Sequence, residues 1–219
     1  MCGRYKQTTP LQTLRELYGI KTLPETPPAP HIAPGMKAAV VRDGKAEALR
    51  WGFTPHWAKE DMGTKLINAR AETIAEKPSF RDSFAARRCL VPADGFFEWD
   101  KSQKPARAYD IHFADKAPFA MAGLWDAWAD PETGEVRESF VIVTVPAAPM
   151  IAHIHERMPA ILRTPAECAL WSAQGATAAE LKNLLKPCDS GTFSWTAAQF
   201  GQAPANEDLP EDSQQLPLF

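Results

Sequence analysis

Short apolar runs recur along the chain between turn residues, and helical periodicity is confined to a few short stretches. Ala38–Arg42 and Ala46–Trp51 flank Asp43-Gly44. That pair enters left-handed dihedrals readily and predicts a two-residue hairpin. Further strands are predicted near Cys89–Val91, Phe96–Trp99, Arg107–Phe113, Phe119–Trp125 and Ser139–Val145. Leu11, Leu14 and Leu17 follow Thr9-Pro10 at helical spacing, with Gly19 behind, which predicts a capped amphipathic helix. Short helices are also predicted at 147–153, 165–173 and 177–185. Five prolines between residues 24 and 34 predict an extended loop. Many strands, few short helices and no regular strand–helix alternation point to an α+β fold rather than a doubly wound sheet.

Composition narrows the function. The chain has 219 residues, enough for one domain with its own core. Its 20 prolines fit a loop-rich fold. The net charge of −3 argues against a protein that coats duplex phosphate non-specifically. No apolar run approaches the ~20 residues needed to cross a bilayer. The start, Met-Cys-Gly-Arg-Tyr-Lys, lacks a signal-peptide core, so the expected location is cytoplasmic, with no membrane partner. The stretch 201–219 is acidic, with no Lys or Arg, and ends in Gln215-Leu216-Pro217-Leu218-Phe219. It is expected to be a mobile tail behind a domain spanning 1–200.

Four cysteines, at 2, 89, 168 and 188, include no Cys-x-x-Cys pair, so neither a zinc knuckle nor a redox dithiol is expected. Cys89 and Cys168 read as small buried residues. Cys2 is different. Once Met1 is removed it carries an α-amine and a thiol, both nucleophilic in part near neutrality. Together they condense with an aldehyde to a thiazolidine. Taken alone, Cys2 is equally an incidental second residue.

Three other segments carry chemistry. Lys65–Arg88 holds six basic and three acidic residues, including Asn68 and Arg70, and reads as a phosphate-gripping patch or a solvated surface. Glu98 sits among Phe96, Phe97 and Trp99. Aromatic walls would raise its pKa towards acid–base duty, whereas alternation could equally turn it outward. His153 and His155 are two apart, unlike a helical zinc pair, and no metal or cofactor is expected. His31, His56 and His112 read as structural. Trp51, Trp57 and Trp99 are either base-stacking platforms or core residues.

Six motifs occur in one order: Met1-Cys2-Gly3-Arg4-Tyr5, Ala33-Pro34-Gly35, Trp51-Gly52-Phe53, Asn68–Thr73, Ala93–Trp99 and His155-Glu156-Arg157-Met158-Pro159. In this the chain resembles the SOS-response-associated peptidase family, whose members sense abasic sites in single-stranded DNA and crosslink to them. The resemblance spans about residues 1–200. It implies one α+β domain with a curved, partly barrel-like mixed and antiparallel sheet. Cys2 is then the nucleophile, exposed by autocatalytic loss of Met1. Asn68 orients it, Glu98 shuttles protons, and His155 opens the sugar or assists β-elimination. Arg4, Arg70 and Lys77 match phosphate contacts, and Pro34 and Trp57 match the region that wedges and stacks bases. His31, and the stretch Thr196–Phe200, depart from the family pattern. The end of the tail is similar to peptides that dock on the bacterial replication sliding clamp, through Gln215, Leu216, Leu218 and Phe219. Two readings from other classes compete: a thiol hydrolase using Cys2, His155 and Asn68, and a reversible single-strand binding module. The expected oligomeric state is a monomer.

Overall fold

Asp43 and Gly44 have φ of 50° and 71° and make the tight turn their sequence predicts. The hairpin is the start of a barrel. In chain order, the computed structural model contains β1 (Arg4–Gln7), α1 (Leu11–Tyr18), β2 (Ala29–Ile32), β3 (Lys37–Arg42), β4 (Lys45–Trp51) and β5 (Asn68–Arg70). Then come α2 (Arg81–Ala86), β6 (Arg88–Ala93), β7 (Gly95–Asp100), β8 (Arg107–Phe113), β9 (Phe119–Ala129) and β10 (Val136–Pro146). The last elements are β11 (Arg157–Pro159), β12 (Ile161–Leu162), α3 (Pro165–Ser172), α4 (Ala178–Leu184) and β13 (Phe193–Ala197). The structure describes residues 2–22, 28–188, 193–198 and 200. The tail 201–219, and with it the clamp-like peptide, lies outside the described residues.

Strands β10, β4, β3, β6 and β9 pair in sequence, and β9 pairs back to β10, closing a five-stranded barrel. The β10–β4 pair is parallel and the others are antiparallel. β5 joins β10 in parallel, with Asn68 opposite Ile142. β11 and β12 extend β10 and β9. A second, antiparallel sheet runs β13-β8-β7-β1-β2. Its inner face meets the barrel where Tyr5 packs edge-on against Trp51, with centroids 5.2 Å apart. Gly52 follows Trp51 at φ 140°, and a Cβ there would lie 2.5 Å from the Gly63 carbonyl oxygen, so the two backbones can cross only at glycine. The fold is α+β, as expected.

Several local expectations are corrected. The helix at 11–18 ends on left-handed Gly19, but its N-cap is Pro10 with no side-chain cap, because the Thr9 hydroxyl donates to Asp94 instead. The proline-rich loop contains a strand, β2. It lies at the edge of its sheet, where Pro30 removes no hydrogen bond that a neighbour needs. No helix forms at 147–153. Ala148, Ile151 and Ile154 are buried at a spacing of three, the period of successive tight turns. The helices at 165–172 and 178–184 do form, each opened by a capping box, Thr164 with Glu167 and Thr177 with Glu180.

Candidate functional site

Cys2 lies just ahead of β1 and is fully buried. Its thiol donates to the Arg4 carbonyl at 3.6 Å. Its own carbonyl accepts from Asn68 Nδ2 at 2.8 Å. β10 therefore positions the Cys2 backbone indirectly, since it is the pairing of Asn68 with Ile142 that brings the amide there. Asn68 Oδ1 is buried and has no hydrogen-bond partner among the described residues. Burial pushes the Cys2 thiol well above its ordinary pKa, and the charge of nearby Glu98 adds to this.

Glu98 is on β7, the neighbour of β1, and only 2% exposed. The outward-facing alternative is excluded. Burial raises its pKa to about 7, so it is shared between acid and base near neutrality. His155 Nε2 lies 4.0 Å from Glu98 Oε2. The Arg157 backbone N–H donates to His155 Nδ1 at 2.9 Å. That contact leaves the proton of a neutral ring on Nε2, facing Glu98. Burial lowers the His155 pKa, so the ring is neutral at pH 7.

Arg157 belongs to the last of the six motifs and has a structural part of its own. Its guanidinium grips Glu72 at 2.6 and 3.0 Å and the Thr144 carbonyl at 2.7 Å. Glu72 follows Asn68 closely, and Arg157 follows His155. The pair thus ties the segment holding Cys2 to the segment holding the imidazole. The motif spacing was the only signal for it.

Cys2, Asn68, Glu98 and His155 are therefore brought to one place. The expected nucleic-acid contacts are dispersed around it. Arg70 and Lys77 are exposed and Pro34 half-buried. Trp57 is 52% exposed on a loop anchored on both sides by hydrogen bonds. Next to it, the His56 backbone N–H donates to Asp126 at 3.0 Å, with His56 Nδ1 also 3.0 Å from that carboxylate. Trp128 Nε1 donates to the Ala58 carbonyl at 2.7 Å. Trp51 is no platform, being fully buried with Nε1 bonded to the Ile67 carbonyl. The basic stretch is thinner than its count, because Arg88 is buried against four carbonyls and Arg87 pairs with Asp126. Arg4 lies beneath Phe200, which the motifs did not single out.

Among the described residues no cluster of three His, Cys, Asp or Glu is arranged for a metal ion. No described helix is long and apolar enough to cross a membrane.

Comparison with known proteins adds an independent line. The model of the family described as SOS response associated peptidase (SRAP) matches residues 1–199. The abasic site processing protein YoqW of Bacillus subtilis is 36% identical over 202 residues, covering 87% of this chain and 88% of that one. The abasic site processing protein HMCES of Xenopus tropicalis is 37% identical over 137 residues, 52% of this chain and 41% of that one. A crystal structure of a protein from Bacteroides thetaiotaomicron superimposes with a TM-score of 0.83 at 29% identity, covering 90% of this chain and 92% of that one.

Proposed function

Because the chain belongs to the SOS response associated peptidase family, we propose that it processes abasic sites in single-stranded DNA, capturing them covalently through Cys2. The observation that carries this reading is the convergence at Cys2. Asn68 holds its carbonyl, and an acid tuned to about 7 stands beside its thiol. The relatives, abasic site processing proteins, support the substrate class.

The chemistry follows from the groups present. Hydrolysis of the Met1–Cys2 peptide bond frees the α-amine. An abasic sugar is a closed hemiacetal, so its ring oxygen must gain a proton as the C1′–O4′ bond breaks and the anomeric hydroxyl loses one. The Nε2–H of His155 donates to the ring oxygen while Glu98, as the carboxylate, takes the anomeric proton and passes it back to Nε2, so the ring ends neutral. The amine then adds to the C1′ aldehyde. Glu98, as the acid, protonates the carbinolamine hydroxyl, and water leaves an iminium. The Cys2 sulfur adds to C1′ while its proton returns to Glu98. The net change is loss of one water and closure of a thiazolidine. A thiol held protonated by burial suits this order, because it ionises only when the iminium cation forms beside it. His155 Nε2 and Glu98 Oε2, 4.0 Å apart, are close enough to act on the same substrate oxygen. Asn68 Oδ1 offers that substrate an acceptor.

The thiol-hydrolase reading has less support. The Cys2 thiol donates to the Arg4 carbonyl, and His155 Nδ1 accepts from the Arg157 backbone N–H. The deciding experiment mixes the protein with single-stranded DNA carrying one abasic site and weighs the products after denaturation. The expected adduct equals protein plus DNA less one water, with Met1 absent, and none forms with Cys2→Ala. An adduct in Cys2→Ala, or none from protein with a free Cys2 amine, rejects the reading. Reversible binding alone would leave no adduct.

The terminal peptide adds a partner to the proposal, the bacterial replication sliding clamp. Deleting Leu218 and Phe219 is expected to abolish clamp binding in an anisotropy titration. Unchanged binding would refute that role.

A further inference from the structure

The outer face of the second sheet carries a stack of rings that the chemistry above does not use. Phe200 lies nearly parallel to Trp99, with centroids 5.4 Å apart and an interplanar angle of 16°. The edges of Phe97, at 5.0 Å, and His31, at 5.4 Å, close round it. The Arg4 guanidinium covers the ring at 4.8 Å from its centroid. One flat ring is thus held by an indole and a guanidinium. The slot opens onto a shallow surface groove lined among others by Trp99, Gln103, Lys104, Arg107 and Phe200.

We propose that this slot is a nucleobase subsite, and that Phe200 occupies the place a base takes when a single strand is bound. The inference rests on the DNA reading above. Every base has a π-face, and stacking on an indole is indifferent to sequence. An arginine above the ring adds a cation–π contact that a base accepts as readily as phenylalanine. Lys104 and Arg107 lie where the phosphates of that strand need cations. The position fits as well. Trp99 follows Glu98 in β7 and points to the opposite face. Trp99 lies one residue from the end of β7, so a strand that delivers its lesion to Glu98 reaches Trp99 by rounding the end of that strand. DNA and Phe200 compete for one ring site, so apparent affinity is lowered by the fraction of molecules in which Phe200 fills it.

The test measures anisotropy of labelled single-stranded DNA against the full-length protein, Phe200→Ala, Trp99→Ala and the double variant. Melting curves check each fold, and Phe200→Leu replaces the alanine variant if that one melts early. Phe200→Ala is expected to bind undamaged strands about three- to tenfold tighter. The gain should vanish in the double variant compared with Trp99→Ala alone. It should also vanish on a strand whose lesion-flanking positions all lack bases. Equal or weaker binding by Phe200→Ala, or a gain that survives loss of Trp99, overturns the proposal. The Cys2-dependent adduct is scored in the same samples. An adduct without a gain in affinity rejects only the slot. A missing adduct in the parent protein rejects the reading beneath it, and the affinity arms still decide the slot.

Discussion

Glu98 and Trp99 are consecutive residues of one strand, yet they live under opposite physical conditions. On the inner face of the second sheet, Glu98 is an acid almost stripped of water, near a fully buried thiol and a neutral imidazole. Desolvation there works against the fold and in favour of chemistry. On the outer face, Trp99 stacks with Phe200 beside Phe97 and His31. Ring packing there favours the fold, and by the inference above it competes with binding. One strand thus divides two functions by the alternation of its side chains.

The sharpest way to break this contrast is Glu98→Gln. The crosslinking rate is expected to fall by about 10²- to 10⁴-fold, the range of a lost general acid–base. Stability should move the other way. A carboxyl at about 7 instead of 4.5 binds its proton more tightly when folded. Its effect on the fold is absent below pH 4.5, grows as pH rises, and is complete above 7. Glu98→Gln is therefore expected to gain up to about 3 kcal/mol at pH 8 and nothing at pH 4, read from urea unfolding. An equal change at both pH values would mean that Glu98 is not held as an acid.

A smaller effect is expected at the exposed ring. Trp57→Ala should weaken single-strand affinity by about 1–3 kcal/mol, the usual worth of one base–aromatic stack. Its melting temperature should barely move, because the side chain is half exposed. A large loss of stability with no loss of affinity would return Trp57 to a structural role. The smallest effects belong to the exposed cations. Arg70→Ala and Lys77→Ala should each reduce the log–log salt slope of binding by about 0.7, equally on all sequences. An unchanged slope would remove that residue from the contact surface.

The hairpin at Asp43-Gly44 was legible because a two-residue turn is chosen by local dihedral preference. So were the five further strands, most of them buried on both faces, because such strands read as short apolar runs bounded by turn residues. β2 was not, since its prolines read as a loop until the sheet order showed it to be an edge. Residues 147–153 misled for a related reason: apolar positions three apart fit a helix and a run of turns alike. Arg88 counted as a surface cation, yet its four carbonyl acceptors are supplied by the ends of α2 and α3, which no charge count can foresee.

The sequence by itself determined the fold class, the Asp43-Gly44 turn, and the identities of the four candidate site residues through six ordered motifs. All of these are short-range in the chain or carried by residue type. Only the tertiary structure decided that residues 2, 68, 98 and 155 meet, that Glu98 faces inward, that Trp51 is core while Trp57 is not, and that Phe200 lies on Trp99. The physical reason is that burial and pairing are set by closure of the barrel and docking of the second sheet. Those contacts join positions far apart in the chain, and local pattern carries no record of them.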